Sequence, residues 1–188
     1  CEKWAEVAKG NAYDVDVVID ATGRFLKRDE LSAHLDSGAK RVFISRNAKD
    51  TIDRNVIPGI NESSIKSSDQ IISTTSSTTQ VLALMVKMLD ESFGLNRAMM
   101  TTVHAYTADQ PLADAAGVDL RRSRSAVENI IPNTTLAPSI VENLMPQFSG
   151  KLDGIAFNVP VPNGSCVDLT TELKNTPSVD EANDAIKN

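Results

Sequence analysis

One segment, Gln70–Phe93 (QIISTTSSTTQVLALMVKMLDESF), limits the folds open to this chain more than any other. Ile71 and Ile72 form a short apolar run, and a stretch of hydroxyl residues follows, Ser73 through Thr79. Leu82, Met85, Val86, Leu89 and Phe93 then recur at i, i+3, i+4, i+7 and i+11, which places them on one stripe of an amphipathic helix. The run before the turn reads as a short buried strand. Ser and Thr side chains accept hydrogen bonds from the unpaired N–H groups of a helix start, so the turn supplies N-caps. A helix start also carries partial positive charge and suits an anion or a charged nucleophile. The residues of the turn taken alone leave both readings open.

The same alternation extends upstream. Val15–Asp20 is an apolar run ending in a glycine-containing turn and reads as a buried parallel strand. Arg28–Asp36 reads as a helix closed by Gly38, Lys40–Ser45 as the next strand, and Asn55–Asn61 as a strand interrupted by Pro58, which suits an edge. Trp4–Tyr13 is a polar lead-in. Strands alternating with helices at this spacing argue for a parallel α/β sheet. Beyond Phe93 the pattern changes. Leu95–Tyr106 reads as one long strand, residues 107–127 as a long ordered loop, Leu136–Leu144 as a short helix, and Leu152–Val159 and Cys166–Leu173 as strands joined by Pro162-Asn163-Gly164. Ser178-Val179-Asp180-Glu181 is a capping box that opens a final helix. Long strands followed by helices predict an antiparallel α+β sheet, with a domain seam at the Ser/Thr turn.

Composition narrows the function classes. The formal charge is −6, and no basic patch exceeds Arg121-Arg122-Ser123-Arg124, which argues against nucleic acid as a main partner. The two cysteines, Cys1 and Cys166, have no metal-ligand spacing, so neither zinc nor a disulfide framework is expected, and a reducing compartment, the cytoplasm, fits best. There is no secretory apolar segment and no membrane-length apolar run.

Several motifs follow one another in a fixed order: Ala21-Thr22-Gly23-Arg24-Phe25, the Ser/Thr turn, Met99-Met100-Thr101-Thr102-Val103-His104-Ala105-Tyr106-Thr107-Ala108-Asp109-Gln110, Asp119–Arg124, Ile130-Ile131-Pro132-Asn133-Thr134-Thr135, and Val159-Pro160-Val161-Pro162-Asn163. In that order they resemble the glyceraldehyde-3-phosphate dehydrogenase family, with the erythrose-4-phosphate dehydrogenase branch also close. The resemblance covers nearly the whole chain. It implies the second half of a Rossmann-type parallel sheet joined to an antiparallel-sheet catalytic domain. Residues 1–76 would be a partial NAD(P)-binding domain and residues 77–188 a partial catalytic domain. The family's glycine-rich pyrophosphate turn and last helix have no counterpart in the sequence, so the chain is expected to be an internal fragment.

The resemblance also implies a chemistry, the NAD- or NADP-dependent phosphorylating oxidation of an aldehyde phosphate through a covalent thioester. The family's turn reads S-C-T-T-N with cysteine as nucleophile, whereas this chain reads Ser76-Ser77-Thr78-Thr79-Gln80. A thiol of pKa about 8.5 is lowered readily by a helix N-terminus and an imidazole. A hydroxyl cannot be ionised that way and needs a general base, usually an oriented histidine. By resemblance Ser77 and His104 hold the catalytic positions. The substrate phosphate looks for Thr107, Asp109 and an arginine whose position is Asn158. Inorganic phosphate looks for Ser76, Thr78, Thr135, Arg122 and a glycine whose position is Leu136. Losing one arginine–phosphate pair removes a charge-assisted contact worth about 1.5–3 kcal/mol. Thr22, Gly23 and Phe25 would lie near the adenosine end of the cofactor and Ser45 near the nicotinamide side. A homotetramer with weak or lost activity is the resulting expectation.

Plainer readings stand beside these. A lone histidine on a strand is as a rule structural, His34 reads as a solvated surface residue, Arg121–Arg124 as a solvated or inter-subunit loop, and Ala21-Thr22-Gly23 as a strand-end turn. Two other functions fit the sequence: a non-catalytic assembly or regulatory homologue, and a hydrolase built on Ser77 and His104.

Overall fold

The computed structural model describes residues 15–108 and 110–187. The lead-in Trp4–Tyr13, Cys1 and Asp109 lie outside the described residues. The chain divides into two compact units, Cys1–Gln80 and Val81–Asn188.

The first unit is built on β1 (Val17–Asp20), α1 (Arg28–Asp36), β2 (Arg41–Ile44), β3 (Arg54–Asn55) and β4 (Ile71–Ser73). The strands run parallel in the order β1-β2-β4-β3. Leu31 of α1 packs with Val42, Ile44 and Ile71 in the sheet, and Phe25, Leu35, Ala48 and Ile52 close around them. Burying these apolar groups on one sheet face drives the unit together, at about 25 cal/mol per Å² of apolar surface removed from water. Gly38 ends α1 as expected, at φ 111 with its N–H on the Leu35 carbonyl.

The strand expected over Asn55–Asn61 shrinks to β3. Pro58 has no N–H for a ladder and Gly59 turns the chain at φ 82. The Asn61 side chain takes over the pairing, accepting from the Ile57 N–H at 2.9 Å and donating to the Asn55 carbonyl at 2.9 Å. β3 is an edge strand, consistent with the proline.

α2 (Ser77–Phe93) begins in the first unit and runs into the second. The second unit then contains β5 (Leu95–Ala105), β6 (Ile131–Asn133), α3 (Ala137–Leu144), β7 (Leu152–Val159), β8 (Ser165–Leu173) and α4 (Val179–Lys187). Residues 106–130, apart from Asp109, form a long loop without helix or strand.

This sheet corrects the antiparallel expectation. Its order is β6-β7-β5-β8, with β5 parallel to β7 and antiparallel to β8. A hydrophobic pattern of period two is blind to strand direction, and β5 inserts between two strands that follow each other in sequence. β6 was also not expected, since Pro132 interrupts a run of only three residues. Ala98, Met100 and Thr102 of β5 are buried on the face that α3 helps to cover through Ala137, Pro138 and Val141. A Cβ on Gly154 would come within 3.1 Å of the Met100 carbonyl and 3.2 Å of Pro138, so glycine lets α3 sit down on the sheet. The expected capping box is present: the Ser178 N–H donates to Glu181 at 2.7 Å and the Glu181 N–H donates to Ser178 Oγ at 3.3 Å. No helix among the described residues is long and apolar enough to cross a membrane.

Asp53 braces the parallel sheet. Its Oδ2 accepts from the Gln70 and Ile71 N–H groups at 2.8 and 2.9 Å, and its Oδ1 accepts from Arg28 at 2.6 Å. Burial works to raise its pKa, but the Ile71 N–H, Arg28 and the Gln70 N–H outweigh it and hold the carboxyl below the usual range. A depressed folded pKa means that the stabilisation is present above the unfolded value, about 3.9, and is lost as pH falls through the folded one. Asp53→Ala is expected to cost about 1–3 kcal/mol near pH 7 and progressively less in acid. Thermal melts of both proteins from pH 7 to pH 2 check this; a gap that stays constant with pH would refute it.

Candidate functional site

The Ser/Thr turn is held at three points. Ser73, fully buried at the end of β4, donates from Oγ to the Arg46 carbonyl at 2.7 Å and accepts from the Thr75 N–H at 2.9 Å. Gln80 reaches back from α2 and donates from Nε2 to the Thr74 carbonyl at 2.7 Å. Ser76 caps the helix, with its Oγ accepting from the Thr79 N–H at 3.2 Å. Between these anchors Thr75 adopts φ 62, the left-handed region that β-branched residues avoid. It is 1% exposed, and its hydroxyl is without a partner among the described residues. Such strain costs about 1–3 kcal/mol and persists only where the surroundings impose it. It turns the chain so that Ser77 becomes the first residue of α2, with an exposed side chain that makes no hydrogen bond among the described residues. Thr78 follows in the first turn of the helix.

At the carboxyl ends of β1 and β2 the first unit forms a second group. Asp20, 6% exposed, accepts from the Thr22 N–H at 2.9 Å and from the Thr22 hydroxyl at 2.7 Å through Oδ1. Its Oδ2 lies 3.3 Å from His34 Nε2, and the His34 ring stands edge-on to Phe25 at 6.2 Å. His34 is therefore not a free surface residue: its side chain is 23% exposed because α1 lays it against the loop after β1. Gly23 takes φ 67 in that loop, and the Ser45 N–H donates to the Asp20 carbonyl at 3.3 Å. Thr22, Gly23, Phe25 and Ser45 are thus gathered at one end of the sheet.

The second unit gathers His104 and Asn158. They are register partners on parallel β5 and β7, with Ser165 of β8 opposite His104 and Ile131 of β6 opposite Asn158. His104 ends the buried row Ala98, Met100, Thr102, and its Nε2 shares a 2.8 Å hydrogen bond with Thr102 Oγ1. Asn158 donates to the Ala105 carbonyl and accepts from Asn133 Nδ2, both at 3.4 Å. A neutral amide turned into the strand ends stands where the resemblance expects an arginine. Thr135 Oγ1 accepts from the Ala137 N–H at 3.2 Å, which places it at the start of α3, and the Leu136 side chain is exposed. Thr107 donates its N–H to Gln110 Oε1 at 3.1 Å, and the Arg122 N–H donates to Asp119 at 3.3 Å, both in the 106–130 loop. The loop is pinned by Asp114, which accepts from the Ser125 N–H at 2.8 Å and from Arg124 at 3.1 Å; these two hold its pKa below the ordinary range.

Three contributors were not picked out from the sequence: Thr102, Asn133 and Arg46. Thr102 had a signal, since residues two apart on a strand share a face. Asn133 had none, because its strand was not expected. Chemically, the first unit offers an exposed alcohol at a helix start, and the second offers an imidazole whose rotation a threonine fixes. No group of three or more His, Cys, Asp or Glu that could hold a metal ion occurs among the described residues.

Comparison with known proteins gives a consistent result. Residues 76–188 match the family described as glyceraldehyde 3-phosphate dehydrogenase, C-terminal domain. A Mycobacterium avium protein named glyceraldehyde-3-phosphate dehydrogenase is 48% identical across 98% of this chain and 56% of its own length. Proteins of that name from Geobacillus stearothermophilus and Streptomyces coelicolor are 45% and 48% identical, each across 98% of this chain and 53% of its own length. The chain spans about half the length of these curated relatives.

If Gln80 holds the strained turn, Gln80→Leu removes the 2.7 Å bond to Thr74 and costs about 0.5–1.5 kcal/mol. Chemical denaturation measures the loss, and hydrogen exchange is expected to speed up at Thr75–Thr78 while β1 and β2 stay protected. Unchanged exchange at the turn would rule the clamp out.

Proposed function

The chain belongs to the glyceraldehyde-3-phosphate dehydrogenase family, and from that premise we propose that it binds a nicotinamide dinucleotide and an aldehyde phosphate, while phosphorylating dehydrogenase activity is weak or absent. One observation carries this reading: the first residue of α2 is a serine, exposed, on the turn that the family uses for its nucleophile. A helix start lowers the pKa of a thiol usefully but leaves an alcohol protonated at neutral pH. His104 is the proposed general base, with Thr102 fixing its ring. The hydrogen bonds of Asn158 to Ala105 and Asn133 support a substrate-phosphate site short of one positive charge. Thr107 and Asp109 are the remaining proposed contacts there. Ser76, Thr78, Arg122 and Thr135 are those proposed for inorganic phosphate, and Leu136 holds the position where the resemblance implies a glycine.

The cofactor residues fit their proposed task. Thr22, Gly23, Phe25 and Ser45 lie at the carboxyl ends of adjacent parallel strands, where open α/β sheets take dinucleotides. NAD or NADP, when bound, supplies the hydride acceptor, and residues 1–76 are the proposed part of a Rossmann-type domain. A cytoplasmic homotetramer completes the proposal. The 106–130 loop leaves Leu112, Val118, Leu120 and Ile130 exposed, which favours an interface between subunits and also a second reading, a non-catalytic assembly partner. Native mass spectrometry tests the interface on which both rest: a tetramer supports it, and a monomer removes the basis of the assembly reading.

The activity claim is tested by NADH or NADPH formation from glyceraldehyde 3-phosphate with and without inorganic phosphate. Turnover by the natural chain is expected far below the order of 1 per second typical of enzymes. Ser77→Cys is expected to give a thiol that iodoacetamide alkylates, with only partial recovery of turnover. Adding Asn158→Arg is expected to lower KM by about tenfold or more, the value of one charge-assisted phosphate contact. Full recovery from Ser77→Cys alone would show that the phosphate site was never deficient.

A further inference from the structure

Arg46 is the residue after Ser45, in the loop that leaves β2, and its guanidinium lies on Gly23 in the loop that leaves β1. A Cβ built on Gly23 would meet Arg46 Nη1 at 3.2 Å, Cζ at 3.3 Å and Nε at 3.3 Å. Three atoms of one plane at nearly equal distance mean that the guanidinium lies face-on to the glycine. Gly23 is thus required twice, by φ 67 and by the flat group above it. The Arg46 backbone is fixed from below by the buried Ser73 hydroxyl at 2.7 Å.

With its face against Gly23, the guanidinium presents its N–H edges outward. Arg46 is exposed, and its side chain forms no hydrogen bond or ion pair among the described residues. Arg24, next to Gly23, carries a second exposed guanidinium, likewise without a protein partner among the described residues. The buried carboxylate of Asp20 is already occupied by Thr22 and His34. In a chain of net charge −6, two arginines without a protein partner among the described residues therefore stand in the loops at the carboxyl ends of two parallel strands. A planar fork of donors suits phosphate oxygens, which it holds in pairs.

We propose that Arg46, laid flat on Gly23 and seconded by Arg24, is an anion-binding position for the phosphate groups of a nucleotide. The inference rests on the dinucleotide reading above: Arg46 follows Ser45, on the proposed nicotinamide side, and lies on Gly23, at the proposed adenosine end, so it stands between the two.

Isothermal titration of the chain with ADP, NAD, adenosine and inorganic phosphate tests it. ADP and NAD are expected to bind, Arg46→Ala to weaken both by about tenfold or more, and Arg46→Lys to weaken them less, since it keeps the charge without the fork. Adenosine binding is expected to stay unchanged. The ADP affinity of the natural chain is expected to fall more steeply with salt than that of Arg46→Ala. Equal ADP affinity in the natural chain and Arg46→Ala overturns the proposal, as does an equal loss for adenosine, or no binding of ADP and NAD at all. Inorganic phosphate binding as tightly as ADP overturns the nucleotide assignment. NAD binding that ignores Arg46 sinks the anion position and leaves the dinucleotide reading standing. ADP binding through Arg46 without NAD or NADP binding does the reverse. Arg46 is exposed, and circular dichroism of each variant verifies the fold.

Discussion

The hydroxyl of Ser73 ties the first unit to its chemistry. Fully buried at the end of β4, it joins the loop after β2, through the Arg46 carbonyl, to the backbone of Thr75. A buried hydroxyl without partners would cost about 1–3 kcal/mol, and these two bonds spare Ser73 that cost. One of them presses Thr75 into the left-handed region and the other fixes the base of Arg46. The start of α2 and the carboxyl edge of the sheet are therefore set by the same atom, although they serve different proposed tasks.

The second unit follows a different constraint. β5 lies between β7 and β8, so each of its residues has a neighbour on both sides, and His104 is bracketed by Asn158 and Ser165. Residues in register on neighbouring strands share a face, and Thr102 precedes His104 on that same face. The imidazole is thereby placed by sheet pairing rather than by loop conformation. Asn158 adds no charge beside it, and its amide closes on the strand ends through Ala105 and Asn133. An arginine at that place would need room for a longer side chain and an anion to justify its charge.

Much of this was legible in the sequence, for identifiable reasons. α1, α2 and α4 follow from periodicity and capping residues because their hydrogen bonds are local. The mixed direction of the second sheet was not legible, since alternation of apolar residues is the same in parallel and antiparallel strands. Asn55–Asn61 misled because its apolar pattern was outweighed by Pro58, Gly59 and the Asn61 side chain. The residues of the site could be placed by motif, but their bonds could not: nothing in the order of residues pairs His34 with Asp20, or lays Arg46 on Gly23. Both are contacts between loops or elements distant in sequence, set by strand order.

The turn has a further property. Its anchors are Ser73, Gln80, Ser76 and Thr79, and none of their bonds involves the side chain of Ser77. Residue 77 is exposed and forms no side-chain hydrogen bond among the described residues. The geometry that presents residue 77 at the start of α2 is therefore independent of the side chain that stands there. An exchange of sulfur for oxygen at this position leaves the strain, the cap and the helix as they were, and changes only the acidity of the exposed group. The side chain of residue 77 takes no part in holding the turn, so the fold of the turn does not depend on it.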